Sequence, residues 1–174
     1  MKKYYLFFYL VFAGLLFDAN GQMTDLKTSI VKSVEQHEKN LINISDQIWA
    51  HAETALEETK SAQLLADYAA KNGFEVEMGV AGMPTAFVAT FGNGRPIISV
   101  LGEFDALPGL SQKASPNKDP LEDGAAGHGC GHNLFGAASL GAAVAIKEAI
   151  ERGDLKGTVK FFGTPSEEKY FGKI

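Results

Sequence analysis

Hydrophobic residues recur at three- and four-residue steps between positions 24 and 49, with charged residues between them. This period predicts an amphipathic helix, with Thr24 or Asp25 as its N-cap. A second helical pattern runs from about 58 to 71 and ends at Asn72-Gly73, a pair typical of helix C-termini. The chain therefore opens on two consecutive helices.

After Gly73 the hydrophobic period changes to two. This predicts strands over 74–78 and 85–91, and the continuous β-branched run over 96–101 predicts a buried central strand. A long segment rich in Gly, Pro, Ser and Asp follows, and such loops are usually functional. An alanine-rich helix over 133–152 and a short strand over 158–162 complete the pattern. The order α-α-β-β-β-loop-α-β predicts an α/β fold with a mixed sheet.

Residues 1–21 have a different character. Lys2-Lys3 precedes an apolar run over 4–17, and Ala19-Asn20-Gly21 forms a small-x-small site before Gln22. This pattern predicts a signal peptide over 1–21. A membrane anchor is the alternative, but the run of about 14 residues is shorter than the roughly 20 that span a bilayer. We expect residues 22–174 to be exported, to a periplasmic or extracellular location, without a stable membrane anchor.

The composition narrows the classes of protein further. The chain has 174 residues, of which 45% are hydrophobic, a net charge of −5 and one cysteine. A single cysteine excludes a disulfide scaffold and a four-cysteine zinc site. The acidic balance and the lack of a basic run give no support to nucleic-acid binding. We expect an ordinary globular domain with no nucleic-acid partner.

Two carboxylates, Glu103 and Asp105, follow the β-branched strand. Loops at the carboxyl ends of strands are where open α/β sheets bind their ligands. Carboxylates two residues apart at such a place could ligate a metal or orient a ligand. Taken alone, they are equally typical of solvated turn acids.

Cys130 and His132 lie two residues apart, between glycines, at the predicted start of a helix. A thiolate and an imidazole so spaced form a soft corner for a metal ion, and the helix N-terminus favours the thiolate. The glycines do not match a dinucleotide-binding loop. An inert turn of small residues is the alternative, and His128 is close enough in sequence to support the corner.

Glu167 and Glu168 follow the last predicted strand. Adjacent carboxylates on a loop point in different directions, so one can bind a metal while its neighbour moves protons. Alone, the pair would indicate only an acidic surface. Together with the two preceding clusters, in one α/β unit, it predicts a hydrolytic metal site.

Three motifs resemble the dinuclear-metal amidohydrolases and exopeptidases, and they occur here in the order typical of that family. They are Glu103-Phe-Asp-Ala-Leu-Pro, Gly129-Cys-Gly-His-Asn and Thr164-Pro-Ser-Glu-Glu. The family includes hippurate hydrolases, aminoacylases, N-acyl amino-acid amidohydrolases and glutamate carboxypeptidases. Asn133, where many members have Asp, is more similar to the p-aminobenzoyl-glutamate hydrolase branch of the family. Lys169-Tyr170-Phe171 departs from a more usual glycine run.

The resemblance implies a role for each matched residue. Cys130 and His132 resemble metal ligands, with the thiolate placed to bridge, and Glu168 resembles the carboxylate ligand. Glu167 resembles the general base, and Asp105 resembles the carboxylate that orients the site. The implied cofactors are two divalent ions, Zn²⁺ or Mn²⁺, and the implied reaction is hydrolysis of the amide bond of a small-molecule substrate such as an N-acyl or aroyl amino acid or a small peptide.

The resemblance also implies that the chain is incomplete. Family members are longer and carry an inserted dimerisation domain and further histidine ligands. We therefore expect 22–174 to be the N-terminal part of a zinc-exopeptidase-like catalytic domain, inactive alone and a homodimer when full length. Two alternatives stay open: an exported metal- or ligand-binding module without catalysis, and a cysteine hydrolase with Cys130 as nucleophile and His132 as base.

Overall fold

The computed structural model describes residues 24–170 and residue 172, so the predicted signal peptide lies outside the described residues. The predicted order of elements is confirmed, with two additional short helices: a 3₁₀ turn at Val80–Gly82 between the first two strands, and one helix after the last strand. In chain order the elements are α1 (Asp25–His51), α2 (Thr59–Lys71), β1 (Glu75–Met78), β2 (Phe87–Asn93), β3 (Ile97–Glu103), α3 (His132–Glu151), β4 (Gly157–Thr164) and the short α4 (Glu167–Tyr170).

The first helix begins where the sequence predicts. The Thr24 side chain accepts a hydrogen bond from Lys27 N at 3.3 Å, which satisfies one of the free N–H groups of the first turn. α1 continues to His51, two residues beyond the predicted end. It stops at Ala52, whose left-handed φ of 45° breaks the helical path.

The four strands form one mixed sheet in the order β1-β2-β4-β3. β1 pairs antiparallel with β2, β2 antiparallel with β4, and β3 parallel with β4. In the parallel pair Glu103 lies opposite Thr164, so both strands end at the same edge of the sheet. The loop after β3 and the α4 turn after β4 consequently start side by side.

For the described residues, the prediction that 96–101 is a buried central strand is wrong. In this part of the chain β3 is an edge strand, and Ile97, Ile98 and Leu101 are 50%, 49% and 40% exposed. A β-branched run reports that the backbone favours extended structure. It does not report how many neighbouring strands the run has, and among the described residues β3 pairs with β4 alone.

The core lies between the sheet and the helices. α3 packs across β3 and β4, while α1 packs on α3 and α2 lies against β1 and β2. The largest fully buried apolar side chains come from all of these layers: Ile48, Leu65, Phe87, Phe104, Leu140, Val144, Val159 and Phe161. α3 is long and apolar enough to cross a membrane by length and composition, yet 56% of its apolar window is buried inside the protein. That burial is typical of a core helix.

A close approach between α3 and β3 places the start of α3 near the sheet edge. A Cβ atom on Gly136 would lie 2.7 Å from Glu103 O, closer than real side chains come to a backbone oxygen. Glycine at this position therefore allows the first turn of α3 to lie directly against the end of β3.

Candidate metal centre

His132, the first residue of α3, lies at the centre of a buried acidic cluster. Its Nδ1 is 2.9 Å from Asp105 Oδ1, and its Nε2 is 3.0 Å from Glu103 Oε2. His132 is 6% exposed and Asp105 is 1% exposed. Because Glu103 ends β3 and Asp105 begins the following loop, one strand end supplies acceptors to both imidazole nitrogens.

The acidic pair after β4 reaches the same imidazole. Glu167 Oε2 lies 3.9 Å from His132 Nε2, and Glu168 Oε1 lies 3.7 Å from His132 Nδ1. The backbone N–H of Glu168 donates to Asp105 Oδ2 at 2.9 Å. The pair lies in the short helix α4 and not on the predicted loop, because Tyr170 N donates to Ser166 O and closes the turn.

Two groups of three residues bring their ligand atoms within 4.8 Å of one another. One is Cys130, His132 and Glu168, the three residues predicted as metal ligands, and the other combines Glu103, His132 and Glu167. Sulfur, nitrogen and carboxylate oxygen together suit Zn²⁺, while nitrogen and oxygen alone also suit Mn²⁺. Both groups use His132, and its Nδ1 is hydrogen-bonded to Asp105.

One atom in the cluster fits a cation particularly well. Glu168 Oε1 is buried and has no hydrogen-bond partner in the structure. A buried carboxylate oxygen without a partner is costly, and a coordinated cation would satisfy it. The donor set therefore fits the divalent metal that the sequence predicts.

The electrostatics of the cluster follow from its excess of carboxylates. Burial raises the pKa of Asp105, but hydrogen bonds from His132 and from the Glu168 N–H outweigh it, and the pKa stays below its usual value. Burial lowers the pKa of His132, but Asp105, Glu103 and Glu168 together raise it above its usual value. In the absence of metal, the pocket thus favours the imidazolium form of His132, whose positive charge lies where a metal ion would bind.

The expected thiolate at Cys130 is wrong for the metal-free chain. The pKa of the Cys130 thiol is raised, first by its interaction with the adjacent Glu168 carboxylate, then by burial and by repulsion from Glu168, Glu167 and Glu103. These nearby negative charges outweigh the helix N-terminus on which the expectation rested. The side chain is exposed, so a metal can reach the sulfur and displace its proton.

His128 and Asn133 flank the metal-ligand residues but are bonded elsewhere. His128 Nε2 lies 3.0 Å from the Ile48 carbonyl, and burial lowers the pKa of His128. Asn133 donates through Nδ2 to Ser45 Oγ at 3.0 Å. Both side chains are thereby tied to α1. Asn133 therefore contacts the scaffold through that bond.

The sequence reasoning left Glu103 without a defined role and did not single out Glu58. The period of two along a strand puts Glu103 and Asp105 on one side of the chain, and that signal could have identified Glu103. Glu58 is 0% exposed, whereas its neighbour Glu57 is exposed. Nothing in the local sequence distinguishes the two, because the residues that bury Glu58 lie far along the chain.

Comparison with known proteins agrees with this geometry. The sequence model of the peptidase family M20/M25/M40 matches residues 99–173, which include all the residues of both metal-ligand groups. The chain is 44% identical over 152 residues to a p-aminobenzoyl-glutamate hydrolase subunit of Escherichia coli strain K12, covering 87% of this chain and 32% of that protein. The resemblance to the dinuclear-metal amidohydrolase and exopeptidase family is therefore confirmed, with the M20/M25/M40 match lying over residues 99–173. The chain is also 30% identical over 131 residues to N-acetylcysteine deacetylase of Bacillus subtilis, covering 74% of this chain and 33% of that protein.

A solved M20 structure shares the fold. A dinuclear metal-binding peptidase of the M20 family from Bacillus subtilis matches with a TM-score of 0.64 and 28% identity, over 77% of this chain and 36% of that one. The mixed α/β architecture is thus that of an M20 catalytic domain. The chain spans about a third of the length of the curated relatives that it matches.

Proposed function

We propose that this chain supplies the acid–base and metal-binding side chains of a metal-dependent amidohydrolase. The observation that carries the proposal is the meeting of Cys130, His132 and Glu168 around one point, with Glu167 beside them. This set combines three ligands with a carboxylate placed for proton transfer. The substrate class is an N-acyl or N-aroyl amino acid or a small peptide.

Each residue has a defined task in this reaction. Cys130, His132 and Glu168 would hold metal, and bound metal supplies Lewis acidity and lowers the pKa of a coordinated water. Glu167 accepts the proton of the attacking water and returns it to the leaving amine. Asp105 fixes the tautomer and orientation of His132 through the 2.9 Å contact at Nδ1.

We propose that the described residues alone do not complete a two-metal site. The two ligand groups share His132, so one imidazole would have to serve both ions. We therefore propose that two bound ions, Zn²⁺ or Mn²⁺, need ligands beyond those described and that the described residues alone do not turn over substrate. A homodimer of the active protein is proposed on the same family resemblance.

The substrate proposal is p-aminobenzoyl-glutamate or a close analogue. It is supported by the 44% identity to the Escherichia coli protein. We also propose export after cleavage before Gln22, on the basic, apolar and small-residue pattern of 1–21. N-terminal sequencing of the protein recovered outside the cytoplasm tests that cleavage site, and an unprocessed N-terminus would contradict it.

Two other functions make different predictions. A cysteine hydrolase would use Cys130 as nucleophile, but its raised pKa and its place two residues from His132 both oppose this. A binding module would take up metal without hydrolysis. Neither alternative has a structural observation that favours it over amide hydrolysis.

The test is a hydrolysis assay on the protein expressed from its complete gene. We expect release of p-aminobenzoate from p-aminobenzoyl-glutamate, or of the amino acid from N-acetyl amino acids, in the presence of Zn²⁺ or Mn²⁺. A chelator should abolish the activity and added metal should restore it. Activity that survives chelation but is lost on thiol alkylation would indicate the cysteine hydrolase, and metal binding without turnover would indicate the binding module.

A further inference from the structure

Glu58 is a fully buried carboxyl group that the proposed chemistry does not use. It lies just before α2, with 0% exposure. Its Oε1 accepts a hydrogen bond from Ser166 N at 2.9 Å, and its Oε2 accepts one from Thr85 Oγ1 at 3.0 Å. Burial raises the pKa of Glu58, while these hydrogen bonds act in the opposite direction. Buried carboxyl groups are costly, so this position has to be explained.

Ser166, one of the two residues that donate to Glu58, has an unusual backbone conformation. Ser166 has φ 61°, in the left-handed region, and is 0% exposed. The left-handed region is unfavourable for a non-glycine residue, so surrounding contacts must hold Ser166 there. Ser166 immediately precedes Glu167 and Glu168. Its conformation therefore sets the direction in which both carboxylates leave the end of β4.

The segment before α2 also contacts the other side of the site. Glu53 O accepts a hydrogen bond from Ala106 N at 2.8 Å, and Ala106 directly follows Asp105. The Glu53 carboxylate accepts hydrogen bonds from Lys60 N and Ser61 N at 3.1 and 2.9 Å, which anchors the segment to α2. The turn over 53–58 thus joins the residue after Asp105 to the residue before Glu167.

We propose that Glu58 is a positioning residue that holds Ser166 in its left-handed conformation and thereby directs Glu167 and Glu168 toward His132. The role rests on the proposed metal-dependent function, but it concerns the geometry of the turn and not the identity of the substrate. It requires an acceptor at the position of Glu58 Oε1. It does not require a negative charge, because the donor is a neutral backbone N–H.

Two variants of similar size isolate the acceptor. Glu58→Gln keeps an oxygen for Ser166 N, and its NH₂ group can donate to Thr85 Oγ1. Glu58→Met fills the same volume without an acceptor. Thr85→Val is the matched control, because it removes the other hydrogen bond to Glu58 and leaves the one to Ser166.

Metal affinity is the first readout, measured by titrating Co²⁺ into the protein expressed from its complete gene and following the absorption of the bound ion. Glu58→Met should weaken Co²⁺ binding about 10- to 100-fold, the loss typical of residues that orient a metal ligand. Glu58→Gln and Thr85→Val should stay within about threefold of wild type, as neither removes the acceptor that orients the ligand. Where the wild type hydrolyses substrate, Glu58→Met should lower kcat and leave KM nearly unchanged.

A rescue experiment separates positioning from general stability. Glycine adopts the left-handed region without strain, so Ser166→Gly should restore Co²⁺ affinity in the Glu58→Met background. A merely structural Glu58 would instead give a folded Glu58→Met protein with wild-type Co²⁺ affinity, or equal losses in Glu58→Gln and Glu58→Met. Either result overturns the inference.

The proposal stays testable where Glu58→Met does not fold. In the wild type, hydrogen exchange at the Ser166 amide should be as slow as at the amides within β4, and fast exchange would overturn the proposal. A wild type that binds Co²⁺ but hydrolyses none of the substrates refutes the proposed function alone. Wild-type hydrolysis with no effect of Glu58→Met on metal affinity refutes the positioning role alone.

Discussion

Two histidines in this fold each lie between two side-chain oxygen atoms, and the comparison between them distinguishes scaffold from site. His37, on α1, has Nδ1 2.6 Å from Tyr68 Oη and Nε2 2.9 Å from Glu148 Oε1. The second Glu148 oxygen accepts from Ser33 Oγ. This His37 cluster joins α1, α2 and α3 with one carboxylate per imidazole, and every side chain in it is hydrogen-bonded.

The His132 cluster also contains an imidazole between two oxygen atoms, but it has more carboxylates than the His37 cluster. Four carboxylates lie within 3.9 Å of one imidazole, and Glu168 Oε1 is buried without a hydrogen bond. A balanced, fully bonded network stabilises a fold by itself. A surplus of negative charge around a buried oxygen without a hydrogen bond favours the binding of a cation. The comparison therefore distinguishes the two clusters by charge balance and not by residue type.

The largest expected effect is the loss of turnover when Glu167, in the His132 cluster, loses its charge. Glu167→Gln should lower kcat by about 10²- to 10⁴-fold, the usual contribution of a general base. Its Co²⁺ affinity at the group of Cys130, His132 and Glu168 should stay close to that of the wild type, because those three ligands are untouched. Glu148→Gln is the control and should leave kcat unchanged. Steady-state kinetics and Co²⁺ titration measure both, and wild-type turnover by Glu167→Gln would refute its assignment.

A smaller effect is expected on stability when metal is added. At a Zn²⁺ concentration 100 times Kd, binding should raise the free energy of unfolding by about 2.7 kcal/mol. His132→Ala should lose most of this increment, since both ligand groups need the imidazole. His37→Ala should start less stable but keep the full increment. Denaturant unfolding with and without Zn²⁺ measures both, and equal increments in the two variants would erase the distinction between the clusters.

The sequence predicts the helices well, because their signals are local, and it ends β3 and β4 two residues too early, at 101 and 162. The helical period over 24–49 and the N-cap at Thr24 both depend on residues within one turn. The closeness of the predicted clusters also follows from the order of elements, since parallel strands ending at Glu103 and Thr164 must bring the following residues to one edge of the sheet.

What the sequence cannot predict depends on long-range partners. The exposure of Ile97 and Ile98 depends on which strands lie beside β3, and the raised pKa of Cys130 depends on carboxylates from two other segments. Glu58 is buried by Thr85 and Ser166, 27 and 108 residues away. No pattern within a window of the chain carries such information.

The smallest expected difference between the clusters concerns the metal-free protein. Their contributions to the free energy of unfolding should change with pH in opposite directions. Burial raises the pKa of Glu148, but Ser33 and His37 outweigh it and lower the pKa below its usual 4.5. Its contribution to stability is therefore present above pH 4.5 and is lost as the pH falls through the lowered value. The pKa of His132 is raised above its usual 6.5. Its contribution is fully present below pH 6.5 and is lost as the pH rises through the raised value.

Single variants separate these two opposite slopes. With a chelator present, the difference in unfolding free energy between wild type and Glu148→Gln should be constant above about pH 5 and shrink at lower pH. The difference between wild type and His132→Ala should instead shrink as the pH rises above neutrality. Urea unfolding at a series of pH values measures both differences. Slopes of the same sign would mean that His132 is held by a balanced network like that of His37, and the charge surplus that indicates a metal would no longer distinguish the site.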